Sequence, residues 1–410
     1  MIPSQDTLLR ALLVALDGRN AFQTAKLRQA GLRGGACDRA AFLDRFPFTT
    51  KAELLADQAA NPPYGSNLTF PIDRYVRLSQ TSGSSGTPLR WLDTAESWAW
   101  MLDIWDRIFA EIGVGPGDRV FVAFSFGPFL GFWTAFEAAA RRGCLVIPGG
   151  GQSTRGRIEA MRDNRATVLL CTPTYAVRLG EDAAADGHAI TGLRRIVVAG
   201  EPGGSIPAIR SRLEALWPGA VVIDHHGMTE IGPVTWQPAD LPGVLRIDET
   251  AYLAEILNPV TLEPVSPGAT GELVLTNLGR LGMPLLRYRT GDLVRQRTDL
   301  PGLALDGGII GRRDDLVIVR GVNVHPSAVE AVVRRFAEIA EYQVEQSNDR
   351  GMIELALTIE LQPGATGKTE IADRLAEALR AALTLRIPVR VAASGALPRF
   401  EMKAKRWVKV

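Results

Sequence analysis

Thr81-Ser82-Gly83-Ser84-Ser85-Gly86-Thr87-Pro88 places five hydroxyl side chains, two glycines and a proline in eight consecutive positions. It follows Tyr75-Val76-Arg77-Leu78, a short run with strand character. Nothing in the octet can build an apolar core. Glycine lets the backbone approach a ligand closely, and hydroxyls together with free amide groups line an anion nest. A triphosphate is the expected guest, and a flexible Ser/Gly linker is the alternative. The order G-x-x-x-x-G-K-[ST] is absent, so this is not a Walker-type loop. A helix is expected from near Ala95, too far along for its N-terminus to be assumed part of the nest.

Downstream the chain alternates between element types. Strands are expected at 119–124, 144–147, 167–171, 195–198 and 220–223. Helices are expected at 94–112, 129–142, 152–164, from 175 onward, and at 206–216. This is the βα repetition of a parallel sheet covered by helices. In such sheets ligands bind beyond the carboxyl ends of the strands, so the loops there are candidate sites. Upstream, residues 1–60 read as helices broken near Gly31–Gly35 and Phe46–Phe48, with a stripe of Leu8, Leu9, Leu12, Leu13 and Leu16.

After about residue 240 the pattern changes to short runs at 244–247, 252–257, 271–276 and 293–297, separated by Gly/Pro turns. That predicts a small antiparallel subdomain or a small barrel. From Asp315 the order is strand, helix, strand, strand, helix, strand, a small α+β unit. The stretch 311–315 between the two parts is polar. The predicted fold is α/β, with a large N-terminal domain (1–311) of helix-covered, mostly parallel sheets and a small antiparallel subdomain, followed by a small α+β C-terminal domain (312–410).

The whole sequence is 410 residues long, 46% hydrophobic and 22% charged, as in an ordinary globular protein with room for more than one core. A net charge of +1 gives no argument for nucleic acid. Cys37, Cys144 and Cys171 are too dispersed for a zinc pattern or a disulfide framework and are expected to be structural. No uninterrupted apolar run is long enough to span a bilayer, and the first 17 residues read as an amphipathic helix rather than a signal peptide, so a cytoplasmic location is expected. Oligomeric state is left open between monomer and homodimer.

Further short motifs carry chemistry. Gly200-Glu201-Pro202 sits at an expected strand end. His226-Gly227-Met228-Thr229-Glu230, Tyr288-Arg289-Thr290-Gly291-Asp292 and Gly311-Arg312-Arg313-Asp314-Asp315 follow, and Pro398-Arg399-Phe400-Glu401-Met402-Lys403 stands near the end. With the hydroxyl-rich octet these six motifs span residues 81–403 and, in this order, resemble the adenylate-forming enzymes: acyl-CoA synthetases, aryl-acid ligases and adenylation domains. Arg320-Gly321-Val322-Asn323-Val324-His325-Pro326 and the shortness of the chain are most similar to the phenylacetate–CoA ligase branch.

The resemblance implies activation of a carboxylic acid by ATP, with Mg²⁺, and then transfer to CoA. Such chemistry must bring two anions together and neutralise developing charge. Lys403 resembles the catalytic lysine that bridges carboxylate and α-phosphate; the surface alternative is a basic face with Lys405 and Arg406. Glu401-Met402 stands where a small residue or glycine usually precedes that lysine. Glu230 resembles the Mg²⁺-contacting glutamate, and a hard oxygen ligand suits that ion; the alternative is a helix-end charge. Thr229 would hold the α-phosphate or the acyl-adenylate. The nucleotide would meet Thr81, Ser82, Gly83, Ser84, Ser85, Gly86 and Thr87, and Gly200, Glu201 and Pro202 on the adenine side. Asp292, expected after a strand and a glycine turn, would accept the ribose hydroxyls, with Arg312 nearby. Gly321 would serve the CoA side. Asp314 would be the hinge of a mobile C-terminal domain.

For the acid, Phe124, Phe126, Phe129, Phe132 and Trp133 flank an expected strand-to-helix turn, and an apolar slot favours a small aromatic acid. Phe126, Phe132, His225 and His226 are the substrate candidates; ordinary core packing is the alternative for the aromatic residues. Two other acceptors are compatible with the motifs, a carrier-protein phosphopantetheine and an amine. A non-catalytic ATP- or acyl-binding module is the third reading, and it predicts damage at Lys403, Glu230 and Asp292, all of which are present.

Overall fold

The computed structural model describes residues 3–81, 87–187, 190–319, 322–349, 352–400 and 404–410. A hairpin of β1 (Tyr75–Gln80) and β2 (Arg90–Thr94) brackets the hydroxyl-rich loop. Residues Ser82–Gly86 of that loop lie outside the described residues, as do Gly321 and Lys403.

The central sheet contains β3 (Arg119–Val122), β4 (Leu145–Pro148), β5 (Val168–Cys171), β6 (Arg195–Val198) and β7 (Val221–Asp224). All neighbours are parallel, in the order β4-β3-β5-β6-β7. Side chains alternate between two cores, as the two-residue period of a strand requires. Val120, Val122, Val168, Leu170 and Ile223 face one core with the helices Ala95–Glu111 and Trp133–Arg141. Phe121, Leu169, Cys171, Val198 and Val222 face the other, against the helices Thr154–Asp163, Pro173–Ala185 and Pro207–Leu216. Covering both faces explains why β5 reads Val-Leu-Leu-Cys with every residue buried. Each such side chain contributes about 1.5–3 kcal/mol by burial. The three cysteines are buried and free, which agrees with structural roles.

The helix Gln5–Leu16 is capped by Ser4 and buries Leu9, Leu12, Leu13 and Leu16. Those leucines pack with Leu253, Leu278 and Leu286, tying the N-terminal helices to the antiparallel region. That region holds one sheet of Tyr252–Leu257, Thr270–Asn277, Tyr288–Arg295 and Gly311–Arg312, and a smaller sheet of Thr235–Trp236, Val244–Ile247 and Ala304–Asp306.

A separate core begins at Val317. Its sheet runs Val389–Val391, Met352–Leu361, Ile339–Asp349, Trp407–Lys409, with the helices Pro326–Val333 and Lys368–Leu383. The strand Trp407–Lys409, parallel to Ile339–Asp349, was not expected, because three residues are too few to display a period.

Three expectations change locally. The helix expected from Phe129 starts at Trp133, because Phe126 and Gly131 adopt φ of +51° and +39° and hold the preceding loop open. The strand expected from Leu293 begins at Tyr288. Asp292 therefore does not follow that strand but lies inside it. The register against Thr270–Asn277 shifts between Glu272 and Val274, and Gly291 sits at φ +77°. The loop-like appearance of Arg289-Thr290-Gly291 comes from this bulge, which re-aims side chains within a continuing strand. Among the described residues, no helix is long and apolar enough to cross a membrane.

Candidate active site

The candidate residues gather beyond the carboxyl ends of β6 and β7. The segment after β7 runs from His225 to Glu230. Glu230 is buried, and its Oε1 accepts a hydrogen bond from the Tyr288 hydroxyl at 2.9 Å. Burial, and then the neighbouring Glu230 carboxylate, push the Tyr288 phenol well above its usual value. Tyr288 therefore stays a neutral donor. Among the described residues Tyr288 is the hydrogen-bond partner found for Glu230, and the Arg312 guanidinium lies within its electrostatic reach.

Arg280 supports the neighbouring backbone. Its Nε and Nη2 donate to the two oxygens of Asp93 at 2.6 Å each, and Nη1 donates to the Thr229 carbonyl at 2.8 Å. Asp93 comes from β2 and Arg280 from the loop after Thr270–Asn277. A fully buried pair persists when its geometry is bidentate and its hydrogen-bonding groups are satisfied. Reasoning from sequence missed both residues. Neither belongs to a local motif, and only the fold brings them together.

Asp292 is the second centre. His226 Nε2 lies 2.9 Å from its Oδ2, and Arg312 Nη1 lies 3.4 Å from its Oδ1. Arg312 also donates to the Thr290 carbonyl at 3.1 Å. The carboxylate accepts, so Nε2 of His226 carries the proton, and its buried Nδ1 has no partner among the described residues. Gly291 makes this approach possible, since a Cβ there would stand 3.3 Å from Arg312 Nη2.

The adjacent histidine behaves differently. His225 is buried, with Nδ1 2.5 Å from the Thr235 carbonyl and its ring centroid 4.4 Å from that of Trp105. A carbonyl can only accept, so Nδ1 is the protonated nitrogen. Burial lowers the pKa of His225 to about 3, which makes it a neutral core residue. Asp224, just before it, is raised to about 6, mainly by burial, while Ser205 donates to its Oδ2 at 2.5 Å.

The remaining candidates divide similarly. Thr81 closes the base of the hydroxyl-rich loop: its amide donates to the Leu89 carbonyl at 2.9 Å and its Oγ1 accepts from the Leu89 amide at 3.0 Å. Thr87, at the other end, is exposed. Gly200 turns the chain at φ +96°, which suits a residue without Cβ. Next to it, Glu201 accepts from the Thr174 amide and from the Ala404 amide, both at 2.9 Å. Pro202 completes the turn. Phe132 is buried among Phe124 and Trp105. Phe126 is half-buried, its ring edge-on to Trp133 at 4.8 Å and Phe136 at 5.2 Å. Asp314 is exposed within the single turn Arg313–Asp315, beside the Arg313 guanidinium. The fold thus joins Thr229, Glu230, Tyr288, His226, Asp292 and Arg312, and turns His225 and Phe132 into the core.

The donor set can be compared with the needs of Mg²⁺. That ion is commonly held by one or two carboxylates, substrate phosphates and water. Glu230, a buried carboxylate whose Oε1 accepts from Tyr288, fits such a single protein ligand through its other oxygen. Among the described residues, no group of three His, Cys, Asp or Glu side chains forms a closed metal cage.

Comparison with known proteins supplies context. Residues 22–279 match the family model "AMP-binding enzyme", and residues 321–409 match "AMP-binding enzyme C-terminal domain". The chain is 31% identical to phenylacetate-coenzyme A ligase of Pseudomonas putida over 380 residues, covering 88% of this chain and 83% of that one. It is also 31% identical to the protein of the same name from Escherichia coli K12 over 382 residues, covering 89% and 84%. A crystal structure of 2-hydroxyisobutyryl-CoA ligase in a postadenylation state, with R3-HIB-AMP, matches with a TM-score of 0.92 at 25% identity, covering 98% of this chain and 88% of that one. An open conformation of the same ligase gives 0.73, and its thioesterification state gives 0.68, both at 25% identity with 98% of this chain covered and 90% and 88% of theirs. One fold giving such different scores reflects a smaller C-terminal domain that changes position, and the arrangement here resembles the postadenylation form more.

Proposed function

Since the chain belongs to the AMP-binding enzyme family, and is an AMP-forming acid–thiol ligase of the adenylate-forming superfamily, we propose that its acid substrate is small and aromatic and that CoA is the acceptor. ATP-dependent adenylation followed by thioester formation is the general chemistry of the group. The observation that carries the finer reading is the shared length and identity with phenylacetate-coenzyme A ligases. The edge-on aromatic cluster of Phe124, Phe126, Phe129, Trp133 and Phe136 supports it, because aromatic walls favour a ring of similar shape.

In the first half-reaction a carboxylate oxygen of the acid attacks the α-phosphorus of ATP. The P–O bond to the β-phosphate breaks, and pyrophosphate leaves with its electron pair. Thr229 orients the α-phosphate, and Asp292 accepts the ribose hydroxyls while Arg312 and His226 hold its carboxylate in place. Thr81–Thr87 flank the phosphates, and Gly200 and Pro202 flank the adenine. Lys403 bridges the acid and the α-phosphate, supplying positive charge where negative charge builds. Glu230 would hold Mg²⁺, and the ion, when bound, supplies charge neutralisation at the phosphates. In the second half-reaction the CoA thiolate attacks the acyl carbon and AMP leaves. Gly321 serves the CoA side. The domains 1–311 and 312–410 turn about Asp314 between the halves.

A second reading is a small aliphatic hydroxy acid, favoured by the 0.92 TM-score against the 2-hydroxyisobutyryl-CoA ligase. The test is pyrophosphate release over a panel of benzoate, phenylacetate, 2-hydroxyisobutyrate, fatty and dicarboxylic acids, with and without CoA, and mass spectrometry of the products. Turnover of benzoate- or phenylacetate-like acids with a CoA thioester is expected. Preference for 2-hydroxyisobutyrate moves the substrate to the second reading, and preference for a long-chain fatty acid removes both. Adenylation without any thioester moves the acceptor to a carrier protein or an amine.

A further inference from the structure

Glu201 holds two amides that belong to different domains. Its Oε1 accepts from Thr174, in the first turn of the helix Pro173–Ala185, and its Oε2 accepts from Ala404. A carboxylate at a helix N-terminus is favoured by the helix dipole, which fixes the Glu201 side chain on the large domain. Ala404 belongs to the small domain. Three residues later its chain enters the sheet as Trp407–Lys409, and Val344 donates to the Arg406 carbonyl at 2.7 Å. In sequence, Ala404 immediately follows Lys403.

The same seam carries further polar contacts. Arg406 is buried, held by Glu341 with Nε–Oε1 at 2.7 Å, and its Nη1 lies 3.4 Å from Thr174 Oγ1. Arg212 of the large domain pairs with Glu181 and donates to the Ile339 carbonyl at 3.3 Å. Among the contacts named, Glu201 is the large-domain side chain that binds the backbone amide adjoining Lys403 in sequence.

We propose that Glu201 is a positioning residue that latches the Lys403-bearing segment onto the large domain for acyl-adenylate formation and lets it go for thioester formation. The inference rests on the role proposed for Lys403, and it gives Glu201 a task other than contact with adenine. Each carboxylate oxygen already accepts an amide, and the domain arrangement is the one that resembles a postadenylation state. A latch made of a few hydrogen bonds suits a cycle in which the domain must leave, because a large apolar seam would hold one state too firmly.

The test uses the full chain and the variants Glu201→Ala, Glu201→Gln and Ala404→Pro. Glutamine keeps one acceptor but turns a donor toward an N–H, and proline removes the Ala404 donor from the other side. Hydrogen exchange of the peptide spanning 404–410 reads docking without any reaction, and it is expected to be faster in all three variants. With phenylacetate as probe, ATP–pyrophosphate exchange is expected to fall about tenfold or more, while KM for ATP stays within about twofold. Thioester formation from supplied phenylacetyl-adenylate and CoA is expected to stay within about twofold of wild type. Unchanged hydrogen exchange in Glu201→Ala overturns the latch whatever the substrate. So does a raised KM for ATP with both half-reactions slowed alike, which would make Glu201 a nucleotide contact. Absence of any pyrophosphate exchange in the wild type with phenylacetate counts against the proposed acid alone, and the hydrogen-exchange arm still decides the latch.

Discussion

Arg280 and Asp93 form a bidentate ion pair with both side chains fully buried, and the free arm of the guanidinium holds the carbonyl of Thr229. The pair joins β2, beside the hydroxyl-rich loop, to the segment that carries Glu230. Asp93→Ala would strand a guanidinium in the core, at a cost of about 3–5 kcal/mol. Urea unfolding is expected to show that loss. The double variant Asp93→Ala/Arg280→Met should recover part of it, because no buried charge remains. Equal stability of Asp93→Ala and wild type would mean that water reaches the pair.

Tyr288→Phe removes the hydroxyl that donates to Glu230. A hydrogen bond to a charged group contributes about 1.5–3 kcal/mol. If Glu230 contacts Mg²⁺, adenylation should slow about tenfold or more and need more Mg²⁺ for half-maximal rate. Pyrophosphate exchange titrated with Mg²⁺ at fixed ATP measures both. A wild-type Mg²⁺ profile in Tyr288→Phe would separate Glu230 from the metal.

His225 makes stability depend on pH. Its folded pKa is lowered from 6.5 to about 3, so the unfolded chain binds a proton that the native state refuses. The stability this contributes is present above pH 6.5 and declines as pH falls toward 3. Asp224 acts in the opposite sense. Its folded pKa is raised from 3.8 to about 6, so its contribution is full below pH 3.8 and is lost as pH rises through 6. In wild type the two opposed contributions largely offset each other between pH 6 and 4.5, whereas His225→Gln removes the first and keeps the second, so the variant should gain stability relative to wild type as pH falls from 6.5 to 4.5. Denaturant midpoints across that range test it, and parallel pH profiles would show that His225 is not the sensor.

Lys403→Ala is expected to abolish pyrophosphate exchange while leaving thermal stability and ATP binding near wild type. A cation that acts on transition-state charge contributes to rate and not to packing. Exchange at the wild-type rate would remove Lys403 from the mechanism.

Asp314→Pro should slow one half-reaction far more than the other. Proline fixes φ and removes a donor, which penalises one domain orientation at the turn Arg313–Asp315. Rapid-quench measurement of adenylation and thioester formation separates the two steps. Equal losses in a folded variant would argue against a hinge at this residue.

Much of this architecture is legible from local signals. The strands β3 and β5–β7 appear in sequence as short apolar runs, because a parallel sheet covered on both faces needs every position filled. The helix expected at 94–112 forms over Ala95–Glu111, with Thr94 as its cap accepting from the Ser97 amide. The hydroxyl-rich octet, His226–Glu230 and Tyr288–Asp292 are contiguous, so their chemistry is visible before folding. Other features depend on pairing and packing. Thr290-Gly291-Asp292 looks like a turn until the partner strand shows it to be a bulge. Two adjacent histidines are equivalent in sequence, yet packing against Trp105 buries one while the other reaches Asp292.

By itself the sequence determined the order of elements and the two-part division, since each depends on neighbours a few positions apart. Only the tertiary structure decided that Arg280 should support Thr229, that Tyr288 should serve Glu230, and that Glu201 should meet Ala404. Those contacts join residues 51, 58 and 203 positions apart, and no local periodicity encodes a hydrogen bond that exists only once distant elements have packed.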